Sequence, residues 1–568
     1  MRSRQIAEQQ WITLPQVASL FSLPSNFEAN CVRSVELIRE AWWKKGIIYQ
    51  VYPRSFQDSN GDGIGELNGL RRRLEYLQWL GIDAIWISPI YPSPMADFGY
   101  DIADYCGIDP LFGTLKEFDE LVFEAHRLKL KIILDFVPNH TSDEHPWFQA
   151  SRTSRTSRKR DWYIWRDGKP DGEPPNNWIS QFGGSAWTLD PTTNQYYLHS
   201  FFPQQPDLDW RNPEVREAMF KVLQFWLDRG VDGFRVDVLW LLIKDAAFRD
   251  NPPNPTYRPT QPAIDRYLSL YNADQPEIHE VVAQMRAVLD RYSDRVLIGE
   301  IYLPFYRLVT YYGENLGGAQ LPFNFALIHA VWNAQEIASL IAEYEDALPA
   351  GGWPNWVLGN HDQPRIAARV GDSQARIAAM LLLTLRGTPT MYYGDELGLA
   401  RTAVSPEFTQ DLWEKNEPGL GVSRDPWRTP FPWDASINAG FTTGRPWLPL
   451  DSTYRTKNVK SLRQQYDSLL MLYHRLIQIR KEHRALTIGN ACVIGAEDNV
   501  LLYERSYGDE KFVVALNFGD NDRILSPSNY AESILILSTY MDREEPVSEL
   551  KLRGNEGVLL RKRLLGRA

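Results

Sequence analysis

Three acidic residues fall where short apolar runs end: Asp237 after GFRV, Glu300 after VLIG, and Asp362 in GNHD. Arg235 lies two residues before the first, and His361 stands directly before the third. Another run, KIILDFVPNH (131–140), carries Asp135 and closes on Asn139–His140. Several carboxyl groups beside an arginine and two histidines suggest carbohydrate chemistry. A retaining glycosidase needs a carboxylate nucleophile and a second carboxyl group held about 5–5.5 Å away, which serves as acid and then as base. A neighbouring guanidinium keeps the nucleophile ionised, whereas crowding by other carboxylates favours the protonated acid. A lone strand-end Asp is as readily a cap or half of a surface salt bridge. Three on separate strand ends with this entourage are not. No Ser–His–Asp layout, phosphate loop or His-rich zinc motif competes with them.

For these residues to meet, parallel strands must end side by side. From about Trp42 the sequence alternates β-rich runs with amphipathic helical ones. Strands are expected at GIIYQVYP (46–53), DAIWISP (83–89), KIILDFV (131–137), GFRVDV (233–238), RVLIGEI (295–301), WVLGNHD (356–362) and TPTMYYGDE (388–396). Helices are expected at 67–81, 115–129, 213–230, 277–292, about 333–347, 373–386 and about 459–483. Continuous apolar strands alternating with helices indicate an α/β fold with a parallel sheet covered on both faces. About eight such units indicate a closed (β/α)8 TIM barrel, whose site lies at the C-terminal strand ends. Residues 141–210, rich in Trp, Gly, Pro and Asn, interrupt the rhythm and read as an inserted subdomain after strand 3. The expected divisions are an N-terminal extension (1–41), the barrel (42–140 and 211–484), the insertion (141–210) and a C-terminal antiparallel β-sandwich domain (485–568).

The totals exclude other classes. A net charge of -11 over 568 residues argues against a nucleic-acid partner. No apolar run approaches the ~18 residues of a membrane span, and the first forty residues lack a secretory-signal layout. Cys31, Cys106 and Cys492 are an odd, scattered set, unsuited to a disulfide framework or a thiolate metal site. A reducing, cytoplasmic setting fits best. Nothing in the sequence forces a dimer, so a monomer or weak homo-oligomer is expected.

Taken in order, DFVPNH (135–140), GFRVD (233–237), GE (299–300) and NHD (360–362) resemble the four signature regions of glycoside hydrolase family 13, the α-amylase superfamily. QVYPRSFQDSNGDGIGEL (50–67) and DFGYDIADY (97–105) narrow the resemblance to the α-glucosidase and oligo-1,6-glucosidase branch. It covers roughly residues 42–568, with the insertion matching the family's domain B and the C-terminal unit its domain C. The resemblance implies that Asp237 is the nucleophile, Glu300 the acid/base, and Asp362 the residue that holds the distorted sugar. Arg235, His140 and His361 would bind the same glucosyl unit. Tyr100 would stack on the non-reducing glucose, and Asp97 would bind its far hydroxyls. Arg428 in SRDPWRTPFPW matches the arginine that pairs with that Asp, and Phe182 is the aromatic expected to line the pocket. A floor closed in this way implies an exo-acting retaining α-glucosidase that removes one glucose from a short oligosaccharide or disaccharide.

Val238, directly after the nucleophile, leans the expected bond preference towards α-1,6 or mixed cleavage. Against that lean, LWLLIKD (239–245) departs from the usual oligo-1,6-glucosidase sequence. Two rivals share the scaffold. One is a transglucosylase or sucrose isomerase, although the RLDRD-like segment of sucrose isomerases is missing. The other is a non-catalytic transporter heavy chain, which needs a membrane helix that this sequence lacks.

One oxygen-rich stretch remains. DSNGDGIGE (58–66) looks like half of an EF-hand loop, but a strand precedes it and its twelfth position is Gly69 rather than Glu. Asp58, Asn60, Asp62, the Ile64 carbonyl and Glu66 are suited to surrounding one hard cation. Relatives in this branch bind Ca2+ or Mg2+ at the matching loop, so a structural ion is expected, and no organic cofactor. The alternative is a metal-free turn closed by Asx hydrogen bonds.

Overall fold

Short, nearly uninterrupted apolar runs become strands here because both of their faces are buried. The structure, a computed structural model, describes residues 40–525, 533–543 and 551–563. Most of the expected N-terminal extension, with Cys31, lies outside those residues.

Eight strands form one parallel sheet: β1 (Ile48–Val51), β2 (Ala84–Ile87), β3 (Lys131–Phe136), β4 (Gly233–Val236), β5 (Val296–Gly299), β6 (Leu321–Pro322), β7 (Asn355–Val357) and β8 (Thr388–Tyr392). Their spatial order is β7-β8-β1-β2-β3-β4-β5-β6, a nearly closed barrel. The register sets Asp135 beside Arg235 across β3 and β4, and Arg235 beside Ile298 across β4 and β5. Side chains at these strand ends therefore crowd one mouth.

The helices follow their apolar spacing. In Leu115–Arg127, Thr114 caps the Glu117 amide, and Phe118, Leu121, Val122 and Ala125 form the buried stripe. Two expected helices are divided. The 67–81 run breaks at Arg73, whose side chain turns to Gln57 and the Trp433 ring. The 459–483 run breaks before Ser468, which caps a new helix, Leu469–Glu482, by accepting the Met471 amide. The helix expected at 373–386 starts earlier, at Ile366, and kinks at Gly371, where φ is 81°.

Between β3 and β4 lies a three-stranded antiparallel sheet built from Trp165–Arg166, Gln195–Leu198 and Trp187–Asp190. It returns to the barrel through a bridge from Asp207 to His140, and Leu208 bridges to Tyr163 within the insertion. After the last long helix comes a five-stranded antiparallel sheet, in the order Asn490–Glu497, Val500–Tyr507, Glu510–Asn517, Gly557–Lys562, Ser533–Ser538. Among the described residues no helix is long and apolar enough to cross a membrane.

Candidate active site

Arg235 is the hub of the barrel mouth. Its side chain is 1% exposed, and its guanidinium meets three carboxylates: Nη1 reaches Asp135 Oδ1 and Asp237 Oδ1, each at 2.7 Å, and Nη2 reaches Glu300 Oε2 at 2.6 Å. Asp135 is anchored from its other oxygen by Trp86 Nε1 and the Tyr100 hydroxyl, each donating at 3.0 Å. The sequence singled out Asp135 only as a strand-end acid. Its place under Arg235 follows from the β3–β4 register.

Burial raises the pKa of both Asp237 and Glu300; Arg235 opposes this, and repulsion from neighbouring carboxylates adds to it. Each therefore keeps its proton to higher pH than an exposed carboxyl would. Asp362 behaves oppositely. Burial works against its ionisation, but the charges of Arg428 and Arg424, with the contact from His361 Nε2 at 3.1 Å, outweigh that and hold it below the ordinary range. One barrel mouth thus holds an ionised Asp362 beside two carboxyl groups whose proton affinity is raised.

The residue after Asp237 is held in an unusual conformation. Val238 has φ 39° and ψ 45°, a left-handed geometry that a β-branched residue rarely adopts. It aims the Val238 amide at Glu300 Oε2, 2.9 Å away. Such an outlier costs about 1–3 kcal/mol and persists only where its surroundings enforce it.

His361 is neutral, because burial drives its pKa well below the usual value. Gln50 Nε2 donates to its Nδ1 at 2.8 Å, so its proton sits on Nε2, 3.1 Å from Asp362 Oδ2. The Tyr100 ring stacks on His361, with centroids 5.2 Å apart and planes 5° off parallel. On the opposite wall, burial lowers the pKa of His140 to about 4. Asp97, Tyr100, His140, Phe182, Asp237, Glu300, His361 and Asp362 all line one cleft of about 290 Å3. Arg235 lies just beneath it.

The expected partner of Asp97 needs correcting. Arg424, not Arg428, makes that ion pair: Nη2 lies 2.7 Å from Asp97 Oδ1 and 2.9 Å from Asp411 Oδ1. Arg428 instead meets Asp362 Oδ1 at 2.7 Å and donates to the His361 carbonyl at 2.9 Å. Both arginines belong to SRDPWR; across the short 3-10 turn Asp425–Trp427 only Arg424 reaches Asp97, while both meet Asp362 Oδ1, Arg424 at 3.4 Å. Phe182 packs against Phe202 and Trp413, with the Arg424 guanidinium 4.8 Å from its ring. The sequence reading also missed Trp240, Tyr302 and Trp413 in the cleft wall. The position of Tyr302, two residues past Glu300 on the same strand end, was its only available signal.

In the 58–66 loop, Asp58 Oδ1 accepts the Asn60 and Gly61 amides, and Oδ2 accepts that of Gly63. Asn60 and Asp62 close the next two Asx turns, while Glu66 accepts the Ser59 and Gly69 amides. Gly63, at φ 95°, passes so close to Arg445 that a Cβ there would lie 1.8 Å from its carbonyl oxygen. Among the described residues no three acidic, His or Cys side chains gather as a ready cation cage. The loop's donors are all oxygen, and Asn60 Oδ1 and both Asp62 oxygens each accept a single hydrogen bond. That leaves lone pairs suited to a hard cation.

Comparison with known proteins agrees with this architecture. The family model described as alpha amylase, catalytic domain, matches residues 50–489. A probable alpha-glucosidase of Rhizobium meliloti is 42% identical, with 84% of this chain and 90% of that protein covered. An oligo-1,6-glucosidase of Halalkalibacterium halodurans is 39% identical, with 90% of this chain and 97% of that protein covered. Among solved structures, an alpha-glucosyl transfer enzyme superposes with a TM-score of 0.87 at 38% identity, covering 92% of this chain and all of the other. An isomaltulose synthase from Protaminobacter rubrum superposes with a TM-score of 0.84 at 36% identity, covering 92% and 99%.

Proposed function

The chain belongs to the α-amylase family, glycoside hydrolase family 13, in its α-glucosidase and oligo-1,6-glucosidase branch, and from that premise we propose that it is an exo-acting, retaining α-glucosidase of short oligosaccharides or disaccharides. The observation that carries this reading is the Arg235 hub. One guanidinium holds Asp237 and Glu300 by its two terminal nitrogens. Carboxyl groups set so near each other favour a covalent route over one that needs a water between them.

The hydrogen bonds also separate the oxygens by role. Glu300 Oε2 already accepts from Arg235 and from the Val238 amide. The acid proton is therefore assigned to Oε1, which donates to the departing glycosidic oxygen. Asp237 Oδ1 is taken by Arg235, so Oδ2 attacks the anomeric carbon as the bond to the leaving oxygen breaks. In the second half-reaction Glu300 Oε1 removes a proton from water, which displaces Asp237 and releases glucose. Asp362, held ionised, binds hydroxyls of the distorted ring. Arg424 closes the far end by clamping Asp97 and Asp411, which supports removal of one terminal glucose rather than internal cleavage.

A panel of maltose, isomaltose, sucrose, trehalose and soluble starch, with product analysis, tests this reading. Glucose is expected as the released product. Internal attack on starch, or parent protein as inert as Asp237→Asn, would overturn it. A second reading, glucosyl transfer or sucrose isomerisation, uses the same intermediate with a sugar hydroxyl in place of water. The apolar wall of Val238, Trp240 and Tyr302 beside the acid favours it, because that wall admits an acceptor more readily than bulk water. New disaccharides in the same panel would reveal it.

The pH profile should follow from the shifted pair. Activity falls on the alkaline side as Glu300 loses its proton and on the acid side as Asp237 gains one. Because burial raises both groups, both limbs should lie above the pH expected of isolated Glu and Asp. A kcat/KM profile checks this, and the alkaline limb should disappear in Glu300→Gln.

We further assign Ca2+ or Mg2+ to the 58–66 loop as a structural ion, held by Asp58, Asn60, Asp62, the Ile64 carbonyl and Glu66. The loop follows β1 and contributes nothing to the cleft lining. Chelation should therefore lower the melting temperature while protein that remains folded stays active. Loss of activity without unfolding would contradict this role.

A further inference from the structure

We propose that Lys244 is a positioning residue for the glucose-binding side of the cleft. Its ammonium is fully buried and joins three segments distant in sequence. Lys244 Nζ lies 2.7 Å from Asp207 Oδ2 and donates to Asn139 Oδ1 at 2.7 Å. An ammonium only donates, so the Asn139 oxygen must face it, and the Asn139 amide nitrogen must point away. That nitrogen meets Asp207 Oδ1 at 3.1 Å and His140 Nδ1 at 3.2 Å. The Asn139 amide nitrogen faces His140 Nδ1, while His140 Nε2 faces the Tyr100 carbonyl at 3.1 Å, so the lysine governs where the ring is held. Asp207 extends the same control to the floor. Two residues before it, Gln205 donates to Asp97 Oδ2 at 3.2 Å, and its amide nitrogen lies 3.1 Å from His140 Nε2. One cation thus ties down the segments that carry His140 and Gln205, the residue that meets Asp97, while touching neither Asp237 nor Glu300.

The inference rests on the reading that a terminal glucose occupies this cleft, and inhibition of the parent enzyme by glucose tests that separately. Breaking a buried ion pair from one side leaves an uncompensated charge. Lys244→Met is therefore compared with the double variant Lys244→Met/Asp207→Asn, in which the Asp207 charge is also removed. In the double variant, KM for maltose and the inhibition constant of glucose should each rise about tenfold or more, while kcat stays within about threefold. A purely structural lysine would lower the active fraction and leave both constants unchanged. Unchanged KM and glucose inhibition in a folded variant would overturn the proposal. So would a fall in kcat alone, or failure of both variants to fold.

Discussion

Asp237→Asn is expected to lower kcat on an α-glucoside by about 10^4-fold or more while the protein remains folded. The substituted amide oxygen can still accept from Arg235 Nη1, which keeps its other carboxylates, Asp135 and Glu300. The geometry therefore survives, but an amide oxygen is no nucleophile, and no covalent glucosyl intermediate forms. Steady-state kinetics on an aryl α-glucoside, with thermal melting in parallel, separate the two effects. Activity within tenfold of the parent would remove Asp237 from its role.

Replacing the hub should damage the fold itself. Arg235→Leu leaves Asp135, Asp237 and Glu300 buried without their common cation, and breaking a single buried pair already costs about 3–5 kcal/mol. The pH dependence of the loss gives the more specific test. Without the guanidinium, the native pKa values of these carboxyls, already raised by burial, rise further above their unfolded values. Their destabilising effect is then greatest at neutral pH and shrinks as falling pH protonates them. Thermal melts near pH 7 and pH 5 should therefore show the gap between variant and parent narrowing in acid. A gap that is constant or widens in acid would mean that Arg235 does not serve as their common counter-charge.

The sequence revealed those parts of the molecule whose positions follow from local pattern. β1 to β5 were legible because each is a continuous apolar run bounded by helical periodicity, and the key acids could be read because they sit at the ends of such runs. β6 was not legible: it is only Leu321–Pro322, too short for any periodicity, and its place depends on pairing with β5. The Asp97 partner was misassigned because Arg424 and Arg428 lie in one turn and are both buried. Only the path of that turn decides which of them reaches Asp97. Lys244 was invisible for a related reason. Its meaning depends on Asn139, 105 residues away, and on a segment returning from the sheet between β3 and β4.

The main chain at Val238 is fixed from several sides. The Phe136 carbonyl holds the Asp237 amide, Glu300 accepts the Val238 amide, and Leu241 donates to the Val238 carbonyl. None of these contacts uses the valine side chain, which faces the cleft. Position 238 therefore separates two design variables. The N–H that steadies the proton donor is present in every residue but proline, while the group presented to an incoming sugar can be exchanged. Diversifying this codon offers a route to retuning linkage preference without rebuilding the catalytic apparatus.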